Sequence, residues 1–311
     1  MTEVPLLQAI GLVKRYDGRA VVDGLDLQLY RGEVLGLLGP NGAGKTTTLR
    51  MLYGFIKPDS GQILYQGRDF AAERQALRGL VGVCTQEDTL DADFCVRDNL
   101  RIYASYFRPQ QPDLQQRIEQ LLTQFGLLEF AERFPPELSG GYKRRLMIAR
   151  SLIHRPAVLF LDEPTTGLDP AARLDLWRLV LRLRSEGLGI VLTTHYMDEA
   201  ERLSDRIALL AKGRTAAQGS TRQVLGAVLG EHIVEVSREQ PQAAEVQAWS
   251  RQHLGKAPGE ALDGWHLALT GAQLVEFTAQ FAELRFAVRD PTLDDLFLAL
   301  SLDPTPTAAE P

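Results

Sequence analysis

Cysteine is scarce in this sequence, which has two in 311 residues. Cys84 and Cys95 match neither a disulfide framework nor a metal-ligand spacing, so we expect two reduced thiols in a cytosolic protein. Long hydrophobic runs are also missing, because no stretch approaches the roughly 20 apolar residues that span a bilayer. The N-terminal stretch MTEVPLLQAIGLVKRYDG has an early acidic residue and no long apolar core, so we expect no signal peptide. We therefore expect any membrane role to come from a partner.

An excess of positive charge is missing as well, since the formal net charge is −6. Binding to nucleic acid phosphates requires a basic surface, so we do not expect nucleic acid as an obligate partner. What the chain has is the balance of a soluble globular protein, with 45% hydrophobic and 24% charged residues. Its length suits one large domain with a smaller one.

The apolar pattern predicts an α/β fold. Residues 5–30 alternate between apolar and polar, which predicts antiparallel strands. The runs EVLGLLG, AVLFLD and GIVLTTH predict strands buried on both faces, and PAARLDLWRLVLRLRSEG between the last two predicts a crossover helix. This alternation predicts a mostly parallel sheet with helices on its faces.

The composition predicts a boundary near Gly219. We expect a main domain over residues 1–219, with a helical subdomain at about 88–155, and a small α/β accessory domain over residues 220–301. In the latter, HIVEVS, GWHLALT and RFAVRD predict strands, and QAAEVQAWSRQHL, AQLVEFTAQFAEL and TLDDLFLALS predict helices. Residues 302–311 are rich in proline and alanine, which predicts a disordered tail.

The stretch GPNGAGKTT fits the phosphate-binding pattern G-x-x-x-x-G-K-[ST] between a predicted strand and a predicted helix. The candidate phosphate-binding residues are Gly39, Pro40, Asn41, Gly42, Ala43, Gly44, Lys45, Thr46 and Thr47. Glycines let backbone N–H groups converge on phosphate oxygens at a helix N-terminus. We expect Lys45 to reach the β- and γ-phosphates, Thr46 to ligate Mg²⁺, and Thr47 to bind near the α-phosphate. A chance glycine turn is the alternative, and the flanking strand and helix count against it.

Two carboxylates follow the buried strand AVLFLD. We expect Asp162 to hold Mg²⁺ or its water, and Glu163 to polarise the attacking water. An Asp–Glu pair after a strand is often only a helix cap, but two acidic residues there are costly unless a cation or proton is involved. The phosphate loop therefore favours the catalytic interpretation.

Three further residues are candidates by position. Gln86 follows a short predicted strand, and its amide could contact both Mg²⁺ and water. His195 lies just past a buried strand, at the edge where such sheets bind ligands, although a single histidine is more often structural. Tyr16 is either an ordinary strand aromatic or a ring that stacks on adenine.

The stretch LSGGYKRRL raises a separate question, because it also has the pattern of an anion-binding helix N-terminus. Ser139, Gly140 and Gly141 precede residues that are basic and then apolar at helical spacing. A serine N-cap with a glycine turn would explain the local pattern. It would not explain why one chain has two anion cradles.

Taken in order, these motifs resemble the nucleotide-binding subunits of ABC transporters over about the first 220 residues. Tyr16 matches the adenine-stacking position, GPNGAGKTT the Walker A motif, Gln86 the Q-loop and LSGGY the signature. LFLDE matches the Walker B motif with its catalytic glutamate, Asp169 in GLD the D-loop, and His195 the switch histidine. The resemblance implies a P-loop NTPase (ABC ATPase) fold with an antiparallel β subdomain and a helical subdomain, to which the residue pattern adds the small α/β C-terminal appendage.

The resemblance also implies how the second cradle is used. In this family two ATPase domains form a head-to-tail homodimer, and each MgATP lies between one chain's phosphate loop and the other chain's signature. Ser139, Gly140 and Gly141 would then serve the partner's ATP. We expect the accessory domain to support dimer contacts or tune the ATPase, because it carries no motif of its own.

Departures from the family pattern indicate a branch. Tyr142 stands where glutamine is usual, and TTGLD replaces the common SALD. The stretches YKRRL, LTTHYMDEAERLSDRIALL and PTLDDLFLAL are similar to exporters of the ABC-2 type, such as drug-resistance pumps and the nodulation lipo-oligosaccharide exporter. This implies a separate ABC-2 integral membrane permease as partner and a cytoplasmic location on the inner face of the membrane.

Two other functions remain open from the sequence. One is a soluble ABC ATPase acting on ribosomes or DNA, although such proteins usually have paired cassettes or a long coiled-coil insertion. The other is a nucleotide-binding regulator without turnover, which Glu163 and His195 together disfavour.

Overall fold

The computed structural model describes residues 4–107, 112–260 and 263–302, with the side chains of residues 300–302 excepted. The predicted tail lies outside this part of the chain apart from Leu302. The chain divides into two compact units, Met1–Thr215 and Ala216–Pro311. The sequence-based boundary near Gly219 falls at the end of the strand that leaves the first unit.

The first unit contains two sheets. Its strands are β1 (Leu7–Tyr16), β2 (Arg19–Leu29), β3 (Val34–Leu38), β4 (Ser60–Tyr65), β5 (Arg68–Asp69), β6 (Val81–Cys84), β7 (Val158–Asp162), β8 (Gly189–Thr193) and β9 (Arg206–Ala211). The next strand, β10 (Arg214–Gly219), starts in this unit and ends beyond its boundary at Thr215. One sheet has the order β2-β1-β4-β5 and is antiparallel, with Leu7 opposite Leu29. The other has the order β10-β9-β3-β8-β7-β6. Both sheets confirm the predicted strand patterns.

The larger sheet is parallel from β9 to β6. Every residue of β3 and β8 is buried, because helices and the antiparallel sheet cover the two faces. The helices of this unit are α1 (Lys45–Leu52), α2 (Arg74–Leu77), α3 (Val96–Ala104), α4 (Leu114–Gln124), α5 (Gly140–Ser151), α6 (Pro170–Ser185) and α7 (Met197–Leu203). Since β3, β6, β7 and β8 run the same way, the segments that follow them meet at one edge of the sheet.

The second unit is a small α/β domain with a core of its own. Its elements are α8 (Thr221–Val228), β11 (His232–Ser237), α9 (Ala243–His253), β12 (Gly259–Glu260), β13 (Gly264–Leu269), α10 (Gly271–Gln280), β14 (Phe286–Arg289) and α11 (Leu293–Leu302). The strands form an antiparallel sheet in the order β12-β13-β11-β14. Trp249, Phe277 and Phe281 pack in its core against Val234 and Leu267. The elements predicted from the sequence are present.

Two expectations about single features have structural outcomes. Cys84 and Cys95 are both buried and form no disulfide, as expected. Among the described residues, no helix is both long enough and apolar enough to cross a membrane.

Candidate functional site

The phosphate loop connects β3 to α1, and two of its glycines are required by its shape. Gly39 has φ +147° and Gly44 has φ +100°, a region that residues with a side chain rarely adopt. A Cβ atom at Gly39 would lie 2.3 Å from the Leu210 carbonyl oxygen, and one at Gly44 would lie 2.7 Å from that of Val21. Helix α1 begins at Lys45 without a side-chain cap, so its first N–H groups are available to an anion at this edge.

Lys45 lies over this loop. Its Nζ donates hydrogen bonds to the carbonyl oxygens of Gly39 at 2.6 Å and Pro40 at 3.1 Å. Burial lowers the pKa of the ammonium group, and the nearby carboxylates of Glu163 and Asp162 act in the opposite direction. A nucleotide phosphate would replace neutral carbonyls by a charged acceptor, which is the stronger partner for Lys45.

Asp162 ends β7 beside Thr193, the last residue of β8. The buried Thr193 hydroxyl donates to Asp162 Oδ1 at 2.6 Å, and the Glu163 amide lies 3.2 Å from that hydroxyl oxygen. Burial raises the pKa of Asp162, as does the charge of Glu163, while the hydrogen bond from Thr193 lowers it. Thr193 therefore fixes both the orientation of the Asp162 carboxylate and the start of the following turn. It was not predicted as a site residue.

Three side chains lie around one carboxylate oxygen of Glu163. Its Oε2 lies 3.0 Å from Gln86 Nε2, 3.2 Å from Thr166 Oγ1 and 3.2 Å from His195 Nδ1. The backbone of Glu163 has φ +47°, which is uncommon for a residue with a side chain and costs about 1–3 kcal/mol. The structure thus brings together Gln86, Glu163 and His195. The sequence had indicated each of them separately, because each follows a predicted strand.

The side chains at this edge suit magnesium. The Thr46 hydroxyl is exposed at the start of α1, Asp162 offers a carboxylate, and Gln86 offers an amide oxygen. Oxygen ligands of this kind are the ones that Mg²⁺ prefers, together with waters and substrate phosphates. Among the described residues, no group of three or more histidine, cysteine, aspartate or glutamate side chains could hold a metal alone. Thr46, Asp162 and Gln86 thus offer oxygen atoms of a kind that fits Mg²⁺.

The signature residues form a second, separate helix N-terminus. Ser139 is the N-cap of α5, its hydroxyl makes no capping hydrogen bond, and both Ser139 and Gly140 are exposed. In the part of the chain that the structure describes, Ser139, Gly140 and Gly141 make no hydrogen bond to the phosphate loop or Glu163. A Cβ atom at Gly141 would lie 3.1 Å from the Ala172 Cβ, whereas one at Gly140 would meet only Leu168, at 3.7 Å.

Two predicted site residues lie outside the cluster around Glu163. Asp169 caps α6, since its Oδ1 accepts a hydrogen bond from the Ala172 amide at 2.9 Å. Tyr16 ends β1 with 46% of its surface exposed, and Lys14 Nζ lies 5.7 Å from its ring centroid. An exposed ring of this kind offers a face on which a base can stack.

The structure adds Arg144 to the residues that shape the site. Its buried guanidinium donates to the carbonyl oxygens of Thr85 at 2.7 Å and Gln86 at 3.0 Å. In the sequence it appeared only as part of the basic stretch YKRRL. Thr166, which lies in the stretch TTGLD, was likewise not predicted as a site residue. No local pattern marks either residue, because their partners are set by the tertiary fold.

Comparison with known proteins assigns the family. The family model described as "ABC transporter" matches residues 22–166. The Nod factor export ATP-binding protein I of Ralstonia nicotianae is 41% identical over 302 residues, which cover 96% of this chain and 94% of the relative. The protein of the same name from Rhizobium sp. (strain N33) is 40% identical, over 94% of this chain and 95% of the relative. This chain belongs to the ATP-binding subunits of ABC transporters.

Solved structures of this family share the fold. A structure described as the ATP binding subunit of an ABC transporter is 30% identical, with a TM-score of 0.64, and the match covers 71% of this chain and 92% of that chain. The cbiO1 protein of Clostridium perfringens, part of the ABC transporter complex cbiONQ, is 27% identical with a TM-score of 0.67 over 81% of this chain and 97% of that chain. The resemblance drawn from the motifs is confirmed, and the chain is an ABC ATPase.

Proposed function

We propose that this ABC ATPase binds MgATP between two copies of the chain and uses its hydrolysis to drive export through a separate membrane permease of the ABC-2 type. The observation that carries the proposal is the cluster around Glu163 Oε2, where Gln86 and His195 contact the carboxylate beside the phosphate loop. This arrangement suits a carboxylate that orients water for attack on a phosphoryl group.

Each residue of the cluster would have a separate task. Lys45 exchanges its carbonyl partners for the β- and γ-phosphates, and the α1 N–H groups hold the phosphate oxygens. Thr46, Asp162 and Gln86 would hold Mg²⁺, which neutralises phosphate charge when it is bound. Glu163 accepts a hydrogen bond from the attacking water. His195 and Gln86 would keep the Glu163 carboxylate in place, since they follow the strands on either side of β7 and both contact Oε2.

The dimer is supported by the signature helix. Ser139 and Gly140 present an exposed helix N-terminus, and among the described residues no group of the phosphate loop or of the cluster around Glu163 hydrogen-bonds to it. An exposed helix N-terminus of a twelve-residue helix attracts anions through its dipole and its unpaired N–H groups. We infer that its ligand is the γ-phosphate of ATP bound to a second copy. Asp169 lies at the start of α6 beside this helix, and we place it at the same interface.

Export through a membrane partner is supported by the relatives, whose names describe Nod factor export and whose length this chain nearly matches. Such a partner would place the ATPase at the inner face of the cell membrane. The alternative of a soluble ATPase acting on ribosomes or DNA is not favoured by these relatives. The cargo is determined by the membrane subunit, so the ATPase site does not specify it.

The test is affinity purification of the tagged chain from detergent-solubilised membranes, with Glu163→Gln as the matched variant that retains ATP. We expect a polytopic membrane protein to co-purify in a fixed ratio, and its presence to raise the ATPase rate of the unmodified chain but not of Glu163→Gln. Ribosomal proteins or DNA in place of a membrane protein would contradict the proposed function.

A further inference from the structure

The segment that carries Gln86 is held in place by another helix. Gln86 follows β6, and the next regular element, α3, starts only at Val96. A loop of this kind has no hydrogen-bonded ladder to fix its backbone. The position of the Gln86 amide therefore depends on contacts made by the rest of the fold.

Arg144 of helix α5 makes the central contact. Its Nη1 donates to the Thr85 carbonyl at 2.7 Å, and its Nη2 donates to the Gln86 carbonyl at 3.0 Å. The planar guanidinium thus holds two successive peptide units in one orientation. Only 7% of the Arg144 surface is exposed. In the described part of the chain no carboxylate pairs with this buried charge, so the two carbonyls provide its main compensation.

A second arginine on the same helix holds the loop further along. Arg150 Nη1 donates to the Thr89 carbonyl at 2.6 Å, and its Nη2 donates to the Thr89 hydroxyl. Among the described residues, Arg150 makes no hydrogen bond to Thr85 or Gln86. Helix α5 also approaches the loop through Lys143, whose Nζ lies 4.0 Å from Asp88 Oδ2. Of these contacts, only the hydrogen bonds of Arg144 reach the Gln86 backbone.

We propose that Arg144 is a positioning residue for ATP hydrolysis, which fixes the backbone of Gln86 so that its amide reaches Glu163. The amide lies 3.0 Å from Glu163 Oε2, a distance that a freely moving loop would not maintain. The proposal rests on the proposed function of Glu163 and Gln86. It also assigns a role to the basic stretch after the signature, because α5, whose N-cap is Ser139, connects that exposed N-terminus to the hydrolytic centre of its own chain.

A double-mutant cycle tests the proposal. The variants are Arg144→Met, which keeps an unbranched stem of similar bulk but no donors, Gln86→Ala, and the combination of the two. We expect Arg144→Met to lower kcat about tenfold to a hundredfold, since the misplaced amide no longer supports Glu163. In the Gln86→Ala background, the same change should lower kcat less than about twofold further. Equal factors in both backgrounds would show a general structural role and overturn the proposal.

Arg150→Met and Arg144→Lys are the matched controls. Arg150→Met removes a guanidinium from the same helix but leaves Gln86 held, so its effect should be the same with and without Gln86. Arg144→Lys keeps one charged donor and should recover part of the lost kcat. If Arg144→Lys lowers kcat as much as Arg144→Met does, and if Arg144→Met has the same effect with and without Gln86, Arg144 does not act by positioning Gln86.

A second readout does not depend on turnover. Backbone amide exchange of residues 85–90 should be about tenfold faster in Arg144→Met, while exchange in β7 and β8 is unchanged. Unchanged exchange in the loop would overturn the proposal even if the variant were inactive. The ATPase activity of the unmodified chain is measured first. Its absence would contradict the proposed function, whereas the results above contradict only the role of Arg144.

Discussion

His195 Nδ1 lies 3.2 Å from Glu163 Oε2, although the two residues follow different strands of the parallel sheet. The contact occurs because β7 and β8 are adjacent and parallel, so both side chains emerge at the same edge. Gln86 reaches the same oxygen from β6. One carboxylate oxygen of Glu163, which follows β7, therefore contacts side chains from the segments that follow β6 and β8.

Glu163→Gln should stop hydrolysis and leave ATP binding intact. The amide cannot accept the proton of the attacking water, whereas the groups that hold phosphate, Lys45 and the α1 N–H groups, are unchanged. Because retained ATP then joins two chains, the variant should be a dimer with ATP and largely a monomer without it. Size-exclusion chromatography with light scattering measures this, and equal masses in both conditions would contradict the composite site.

Lys45→Ala is the contrasting variant. It removes the ammonium group that lies over the phosphate loop, so tight nucleotide binding should be lost along with hydrolysis. Equilibrium binding of a fluorescent ATP analogue distinguishes the two variants. Retention of full affinity in Lys45→Ala would mean that the loop does not hold the phosphates.

Thr193→Val should weaken magnesium binding. Valine matches the shape of threonine but lacks the hydroxyl that donates to Asp162 Oδ1, so the carboxylate loses the group that orients it. Loss of such a supporting contact typically costs about tenfold to a hundredfold in metal affinity. Mn²⁺ titration of the ATP complex, followed by electron paramagnetic resonance, measures the change. Thr193→Ser keeps the hydroxyl and should bind nearly as the unmodified chain does; equal weakening in both would argue for packing instead.

The sequence predicted the residues that belong to local motifs and missed those that act across the fold. Glycines, a lysine and a threonine at fixed spacing identify the phosphate loop, because one turn and one helix end use them all. Thr193 and Arg144 contact residues that lie 31 and 58 positions away in the chain. Nothing in the neighbouring sequence indicates such partners: the order of the strands brings Thr193 to Asp162, and the packing of α5 brings Arg144 to the loop after β6.

The fold was predictable for a related reason. Antiparallel strands with one solvated face alternate in polarity, while buried parallel strands are continuously apolar, and this chain contains both patterns. The positive φ of Glu163 was not predictable, since glutamate carries no preference for that conformation. It arises where the chain turns sharply after β7, with its amide held by the carbonyl and hydroxyl of Thr193.

A chain ending after Gly219 should still bind ATP. The phosphate loop and the cluster around Glu163 belong to the first unit, and the second unit has its own core around Trp249 and Phe277. We expect the dissociation constant for ATP to stay within about twofold, while dimer formation or the ATPase rate changes. Nucleotide binding and light scattering of the truncated chain measure both. A truncated chain that folds but cannot bind ATP would contradict the assignment of the second unit as accessory.

Stability should fall between neutral and mildly acidic pH through His154. Burial lowers the pKa of this histidine to about 4, and its ring stacks on Phe107 with Nε2 bonded to the Val81 carbonyl. The neutral ring is thus favoured in the fold, while the unfolded chain takes up a proton below about pH 6.5. The stabilisation is complete above that pH and is lost as the pH falls toward 4. Between pH 7 and pH 5 the loss is about 2 kcal/mol.

His154→Gln supplies the control for this pH dependence. Glutamine keeps an N–H donor near Val81 but does not titrate, so its free energy of unfolding should change less between pH 7 and pH 5. Urea unfolding of both proteins at the two pH values gives the difference. If the free energy of unfolding changed equally in both proteins between pH 7 and pH 5, groups other than His154 would cause the acid sensitivity.

Gly140→Asp should block hydrolysis without disturbing its own chain's nucleotide affinity. A side chain at Gly140 meets only Leu168 at van der Waals distance, whereas at Gly141 it would press on Ala172, so Gly140 is the cleaner position. In the proposed composite site the added carboxylate would lie where the γ-phosphate of a second chain's ATP approaches, and like charges would oppose that approach. The monomer should therefore bind ATP normally and fail to dimerise with it. Loss of ATP binding by the monomer would show that the signature serves its own chain.

Heterodimers carrying two different tags test whether each signature serves the ATP bound to the other chain. One Gly140→Asp chain and one Lys45→Ala chain place both lesions in the same composite site and leave the other site intact. Such heterodimers should recover part of the ATPase activity that neither variant has alone. The matched control pairs an unmodified chain with a chain carrying both substitutions, so that each site has one lesion and activity stays absent. Activity in the control arrangement with none in the test arrangement would mean that each chain hydrolyses ATP with its own signature, and the composite site would then be wrong.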